Sequence, residues 1–158
     1  MSIMDSIYYK INKKVVDRAI LKLKKIPIDV VYEVLLKNCL RDEIEVKLIL
    51  KTKTELELKL KGKKETSLFK FHKSFVIFKE DYEKIISIAD SLEINKCIYI
   101  TTGVFHSDVY KCNAWSFSKI KFRLEDNIKF IKRQIWLNKD YIDHFKYKRL
   151  DFTKYLPN

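Results

Sequence analysis

Cys97-Ile98-Tyr99-Ile100-Thr101-Thr102-Gly103-Val104-Phe105 is a short apolar run that stops at Thr-Thr-Gly and gives way to a polar segment opening at Ser107. A continuous apolar run of this length, closed by a turn signal, predicts a strand buried on both faces. Functional residues gather at the ends of such strands. Upstream, Tyr82, Ile85, Ile86 and Ala89 recur at helical spacing between Glu80 and Glu93, with acidic residues early, as the helix dipole prefers. Ser67-Leu68-Phe69-Lys70-Phe71 before it reads as a strand near the sheet centre. Strand, helix and apolar strand make a crossover unit, which predicts parallel strands joined with right-handed sense.

Further upstream the period changes. From Glu43 to Lys51 apolar residues alternate strictly (Ile44, Val46, Leu48, Leu50), and after Lys51-Thr52-Lys53-Thr54 they resume as Leu56, Leu58 and Leu60. Two alternating strands with a short polar link predict an antiparallel hairpin with one solvated face, followed by a turn over Lys61–Glu65. On that reading Glu55 and Glu57 point to solvent. Met4 to Lys25 carries Ile7, Ile11, Val15, Ile20 and Leu23 in a loosely helical pattern that Pro27 ends. Asp29 is positioned to cap a second helix whose apolar side is Val30, Val31, Val34, Leu35 and Leu36, with Glu33 inside it.

Downstream, Ser107 opens a short helix through Trp115, Lys119–Phe122 reads as an edge strand, and Leu124, Ile128, Ile131 and Ile135 mark a last helix. From Lys139 onward basic residues mix with Tyr141, His144, Phe145, Tyr147, Phe152 and Tyr155 without a clean period. The partition is an N-terminal basic helix (1–26), a core domain (27–137) and a basic, aromatic C-terminal extension (138–158) that offers a docking surface for a protein partner. The fold class is α/β, with a mixed central sheet flanked by helices.

The chain has 158 residues, 47% of them apolar and 13% aromatic, enough for one folded domain and too apolar for disorder. Lys and Arg number 33 against 21 Asp and Glu, a net charge of +12. That balance favours a polyanionic partner, DNA or RNA, or an anionic surface; codon bias toward Lys, Ile and Asn yields the same composition. Three cysteines (Cys39, Cys97, Cys112) without metal-type spacing indicate neither a disulfide framework nor a zinc site, and place the chain in a reducing, intracellular compartment. No apolar stretch approaches a membrane span, so no membrane partner is expected.

The order helix, hairpin, strand, helix, strand, helix resembles the restriction-endonuclease-like fold, in particular its Mrr-type branch. Tyr32-Glu33 matches that branch's aromatic-Glu pair, Thr101-Thr102-Gly103-Val104-Phe105 its Thr-Thr-Gly-x-Phe turn, and Leu124-Glu125-Asp126-Asn127 its late Leu-x-Asp-small segment. The similarity spans residues 28–135 through short motifs. The resemblance implies a metal-dependent nuclease site: an acid on the second strand, then an acidic or amide residue, one residue and Lys on the third. Carboxylates hold Mg²⁺, the metal lowers the pKa of a water, and Lys stabilises charge at the phosphate.

On this sequence Glu57, or Glu55, matches the first acid and Lys73 the lysine, while the middle position falls on Phe71, which neither binds metal nor takes a proton. Lys70 as the lysine puts Leu68 there instead. The motif is therefore degenerate, and a nuclease would need a relocated carboxylate, with Glu33 the nearest candidate and His72 an alternative base. His72 and His106 are equally readable as structural residues, and the cysteines as small core residues. Lys59, Lys61, Lys63 and Lys64 near the second-strand exit, Lys70 and Lys73 around the third strand, and Lys129, Lys132 and Arg133 on the last helix are candidate phosphate contacts lining a groove. The expected function is nucleic-acid binding on a non-catalytic scaffold within a larger complex and without cofactor. The alternatives are a Mg²⁺-dependent phosphodiesterase using Glu57, Lys73 and Glu33, and a protein-interaction subunit.

Overall fold

The computed structural model describes residues 2–116, 119–135 and 150–158. In chain order the elements are α1 (Ile3–Lys24), α2 (Ile28–Arg41), β1 (Glu45–Lys51), β2 (Glu55–Lys61), β3 (Thr66–His72), β4 (Val76–Ile77), α3 (Lys79–Ser91), β5 (Lys96–Thr101), β6 (Val104–Phe105), α4 (Ser107–Trp115), β7 (Lys121–Glu125) and α5 (Asn127–Ile135), with a final 3-10 turn at Thr153–Tyr155. The main sheet has five strands in the order β1-β2-β3-β5-β7. β2 pairs antiparallel with β1 on one side and with β3 on the other, whereas β3, β5 and β7 run parallel. The fold is therefore α/β with a mixed sheet, and the apolar run is its β5, buried from Cys97 to Thr101.

Helices cover both faces of this sheet. On one face Leu56, Leu58, Leu60, Phe69, Phe71, Ile98 and Ile100 pack against Ala19 and Leu23 of α1, Val31 and Leu35 of α2, and Phe130 of α5. On the other, Leu68, Cys97, Tyr99 and Leu124 pack against Tyr82, Ile85 and Ala89 of α3 and Val109 of α4. Side chains alternate faces along a strand, so each central strand feeds two cores. β2 has no solvated face, against the hairpin reading: it is the second of five strands, and Lys70 of β3 takes up Glu55 and Glu57 on its polar side. The edge strand β1 keeps an exposed pattern, and Ile49, at the register shift between Leu48 and Leu50, packs against the α3-side core.

Several boundaries differ from the sequence expectation for local reasons. Pro27, not Asp29, occupies the α2 N-cap, and Asp29 instead accepts a hydrogen bond from Lys51 Nζ at 2.5 Å. His106, not Ser107, caps α4 by accepting from the Asp108 N–H. Leu124 belongs to β7, beside Tyr99, rather than to the last helix. Two-residue β4 and β6 form a separate parallel pair that no periodicity could announce.

The terminal segments are part of the packing. Ala19 and Leu23 of α1 join the core, with Ile26 just after it. At the other end Leu150, Phe152 and Tyr155 are buried, with Phe152 set edge-on to Phe69 at 5.8 Å between ring centroids. Residues 150–158 are thus a core segment rather than an extension, because Phe152 closes an aromatic cluster with Phe71 and Phe130. The remainder of the expected docking surface, including Lys139, Tyr141, His144, Phe145 and Tyr147, lies outside the described residues. No helix among the described residues is long and apolar enough to cross a membrane.

Candidate functional site

The register of β2 against β3 sets Glu55 opposite His72 and Glu57 opposite Lys70, and β5 adds Tyr99 beside Lys70. All five side chains therefore belong to the α3 side of the sheet. Lys70 Nζ donates to Glu57 Oε1 at 2.7 Å and to Glu55 Oε1 at 3.0 Å. His72 Nε2 lies 3.4 Å from that same Glu55 oxygen, and its Nδ1 shares a 2.8 Å hydrogen bond with the Tyr99 hydroxyl. The Lys70 ammonium also sits 5.5 Å from the Tyr99 ring centroid.

Burial sets the electrostatics. Glu57 and Lys70 retain only 4% and 3% exposure and pair with each other out of water. Burial pushes the Glu55 pKa upward, but the hydrogen bond and charge of Lys70 outweigh it and leave Glu55 below its ordinary 4.5. Burial lowers His72 below 6.5, and the Lys70 charge adds to this against the pull of Glu55, Asp81 and Glu57. The Tyr99 phenol is pushed up, first by burial and then by the nearby carboxylates. The cluster meets solvent along its Glu55 and His72 edge, their side chains being 26% and 12% exposed.

These positions revise the expected site. Phe71 points to the opposite core, where its ring meets Phe130 at 6.2 Å. Lys73 follows β3, and its backbone N–H donates to the Thr54 carbonyl at 2.7 Å. The lysine beside Glu57 is Lys70. Glu33 is exposed on α2, the helix that packs on the far face of the sheet, so it is not the carboxylate that joins Glu57; Glu55 is. His106 is exposed and serves as a helix cap. Burial pushes the Cys39 thiol up to about 11 and the Cys97 thiol up to about 12, which leaves both unreactive.

The donor set does not fit a Mg²⁺ site. Hard divalent cations need several free oxygen ligands, whereas Glu55 and Glu57 both commit Oε1 to the Lys70 ammonium, which stands where a shared cation would have to stand. Among the described residues no group of three or more His, Cys, Asp and Glu side chains is placed to hold a metal ion.

The candidate phosphate contacts divide into separate groups. Lys70 is sealed in the acidic cluster and is not a phosphate contact. Lys59 is half-buried on β2. At the β2–β3 turn Lys61 pairs with Glu45 at 3.9 Å and Lys63 with Glu43 at 2.5 Å, while the Lys64 backbone N–H donates to the Asn158 carbonyl. Lys129, Lys132 and Arg133 of α5 lie elsewhere. They line a cleft of about 410 Å³ with Lys154, Ser2 and Asp5. Because β2 is antiparallel to β3, its exit lies at the N-terminal ends of the parallel strands, whereas α5 starts from the C-terminal end of β7. Among the described residues no single groove gathers both groups.

The motifs at the ends of β5 and β7 have structural roles. The Gly103 carbonyl accepts the Asn127 N–H at 2.9 Å, and Asp126 caps α5 by accepting the Lys129 N–H at 2.9 Å. Glu125 is buried between Arg123 and Arg133, each with Nε at 2.9 Å from one of its oxygens. Sequence reading missed Lys154 and Lys24 as cleft residues, since neither is near the motifs in the chain. The pairing of Glu57 with Lys70 was accessible by counting the hairpin register. No protein-family model matches the chain, and no curated protein matches it.

Proposed function

We propose that the protein binds nucleic acid on a degenerate restriction-endonuclease-like scaffold, without catalysis and within a larger complex. One observation carries the binding reading: among the described residues four cations, Lys129, Lys132, Arg133 and Lys154, line one open cleft against one carboxylate, that of Asp5. Phosphate contacts require positioned cations of this kind, and release of condensed counterions supplies the affinity. Support for the scaffold comes from the element order, from a mixed sheet with acids on β2 and Lys on β3 facing one side, and from the turn after β5. The loss of catalysis is supported by Lys70, whose ammonium binds both carboxylates that such a site would offer to a metal.

The test is a gel-shift and cleavage series on single-stranded and duplex DNA and RNA, in EDTA or Mn²⁺, at several salt concentrations. Salt-sensitive binding without cleavage is the expected result. Affinity that does not change with salt would overturn the binding reading, and metal-dependent cleavage abolished by Glu57→Ala would overturn the non-catalytic part.

A further inference from the structure

A second cleft, of about 330 Å³, lies at the C-terminal ends of β3 and β5 and is lined by Lys24, Thr54, Lys73, Ser74, Phe75 and Thr102. Its wall is unusual in one respect: the Phe75 side chain is 78% exposed. An exposed aromatic on a mobile loop means little, but Phe75 is held from several directions. Its carbonyl accepts the Val104 N–H at 3.0 Å, and the neighbouring Lys73 N–H is bound to Thr54. Ser74 Oγ donates to the Val76 carbonyl at 2.9 Å. Beneath the segment lies Gly103, where a Cβ would come within 2.2 Å of both the Ser74 and Phe75 carbonyl oxygens. The backbone under the ring is thus fixed before any ligand arrives.

The ring also carries charge beside it. Lys24 Nζ, at the end of α1, lies 5.1 Å from the Phe75 centroid, and Lys73 lines the same cleft. Among the described residues no carboxylate lines it. A solvent-facing aromatic ring on a held backbone, with one ammonium group over it and a second lysine in the same cleft, matches the combination used for unpaired nucleotides, in which a base stacks on the ring and the adjoining phosphate meets the cations. A duplex buries its base faces in its own stack and cannot use such a ring.

We infer that Phe75, with Lys24 and Lys73, forms a stacking platform for an unpaired base, so that the protein binds single-stranded nucleic acid in preference to duplex. This inference rests on the nucleic-acid reading above and adds the strand state of the ligand. Phe78 supplies an internal control, since it too is exposed but leans on His106 rather than lining this cleft.

Fluorescence anisotropy of a labelled oligo(dT) strand and a labelled duplex of equal length, at one low salt concentration, tests the inference on the full chain. The wild type binds the strand more tightly than the duplex. Phe75→Ala weakens strand binding by about 5- to 100-fold and leaves duplex binding unchanged, the range expected for loss of one stacked base. Phe75→Tyr retains the strand affinity, and Phe78→Ala behaves as wild type. Salt-sensitive duplex binding with no strand preference and no effect of Phe75→Ala overturns the platform while leaving the nucleic-acid reading intact. Absence of binding to either ligand overturns both. Loss of self-association in Phe75→Ala with strand binding unaltered assigns the ring to a protein contact and also overturns the inference.

Discussion

Lys70 is the residue on which the acidic cluster depends, because Glu57 is almost fully buried and its charge has Lys70 Nζ at 2.7 Å. Removing one member of a buried ion pair leaves the other charge desolvated and uncompensated, at a cost of about 3–5 kcal/mol. Lys70→Ala is expected to lower stability by that amount in urea denaturation, and joint replacement of Glu57 and Lys70 by Leu and Met to lower it less than Lys70→Ala alone. His72 adds a pH dependence of definite sign. Burial holds its folded pKa below 6.5, so the unfolded chain takes up the proton first as pH falls. The neutral-ring contribution is complete above about 6.5 and is lost as pH drops below it. Glu55, held below 4.5, carries the same sign in a lower window. Urea midpoints measured across this range should fall for the wild type and flatten between neutrality and about pH 5 in His72→Gln; an unchanged profile would remove His72 as the source. The chain order alone placed the lysine at Lys73 and a relocated acid at Glu33, because the motif resemblance fixes spacing along a strand but not the face to which each side chain turns. Pairing Glu57 with Lys70 requires the antiparallel register, and excluding Glu33 requires knowing which face α2 covers.

At the scale of elements, strongly periodic segments were legible and short or doubly buried ones were not. The parallel crossover from β3 through α3 to β5 follows from a central strand, an amphipathic helix and an apolar run. The hairpin was legible as a pairing but misread in its exposure, since alternation of Glu with Leu on β2 signals a second buried face as well as a wet one when the polar side chains find partners. The pair β4–β6 is too short to leave a period, yet it organises the turn after β5. With Val76 beside Val104 and Ile77 beside Phe105, the crossover segment lies directly over Gly103. The glycine is required here for space, not for an unusual φ, because no glycine has positive φ. Gly103→Ala must displace backbone oxygen atoms rather than a flexible side chain, and overpacking of this kind costs about 1–3 kcal/mol. The expected result is a lower thermal midpoint together with weakened strand binding, because the Phe75 ring rides on the displaced segment. Retention of both would show that the 74–75 backbone yields without cost.

For the whole molecule, a net charge of +12 states that the surface is basic but not where a polyanion would lie. Pairing decides between the two basic regions. The turn after β2 has its lysines facing Glu43 and Glu45 in exposed pairs, which are worth little to stability but offset local potential. The α5 cleft has four cations, of which Lys132 faces Asp5 at 3.2 Å and Arg133 the buried Glu125. Lys129 and Lys154 complete the lining and are the side chains whose loss should be read directly as lost phosphate contacts. Each such contact contributes about one to the slope of log affinity against log salt. Joint replacement of Lys129 and Lys154 by Ala is therefore expected to reduce the slope by about 2, equally for all sequences, whereas the same change at Lys61 and Lys63 should reduce it by less. Salt titrations of the two double variants on one ligand make the comparison internal, so a general loss of positive charge cannot mimic the result. If the slope falls with Lys61 and Lys63 and not with Lys129 and Lys154, the footprint lies at the β2–β3 turn and the α5 cleft is not the nucleic-acid site.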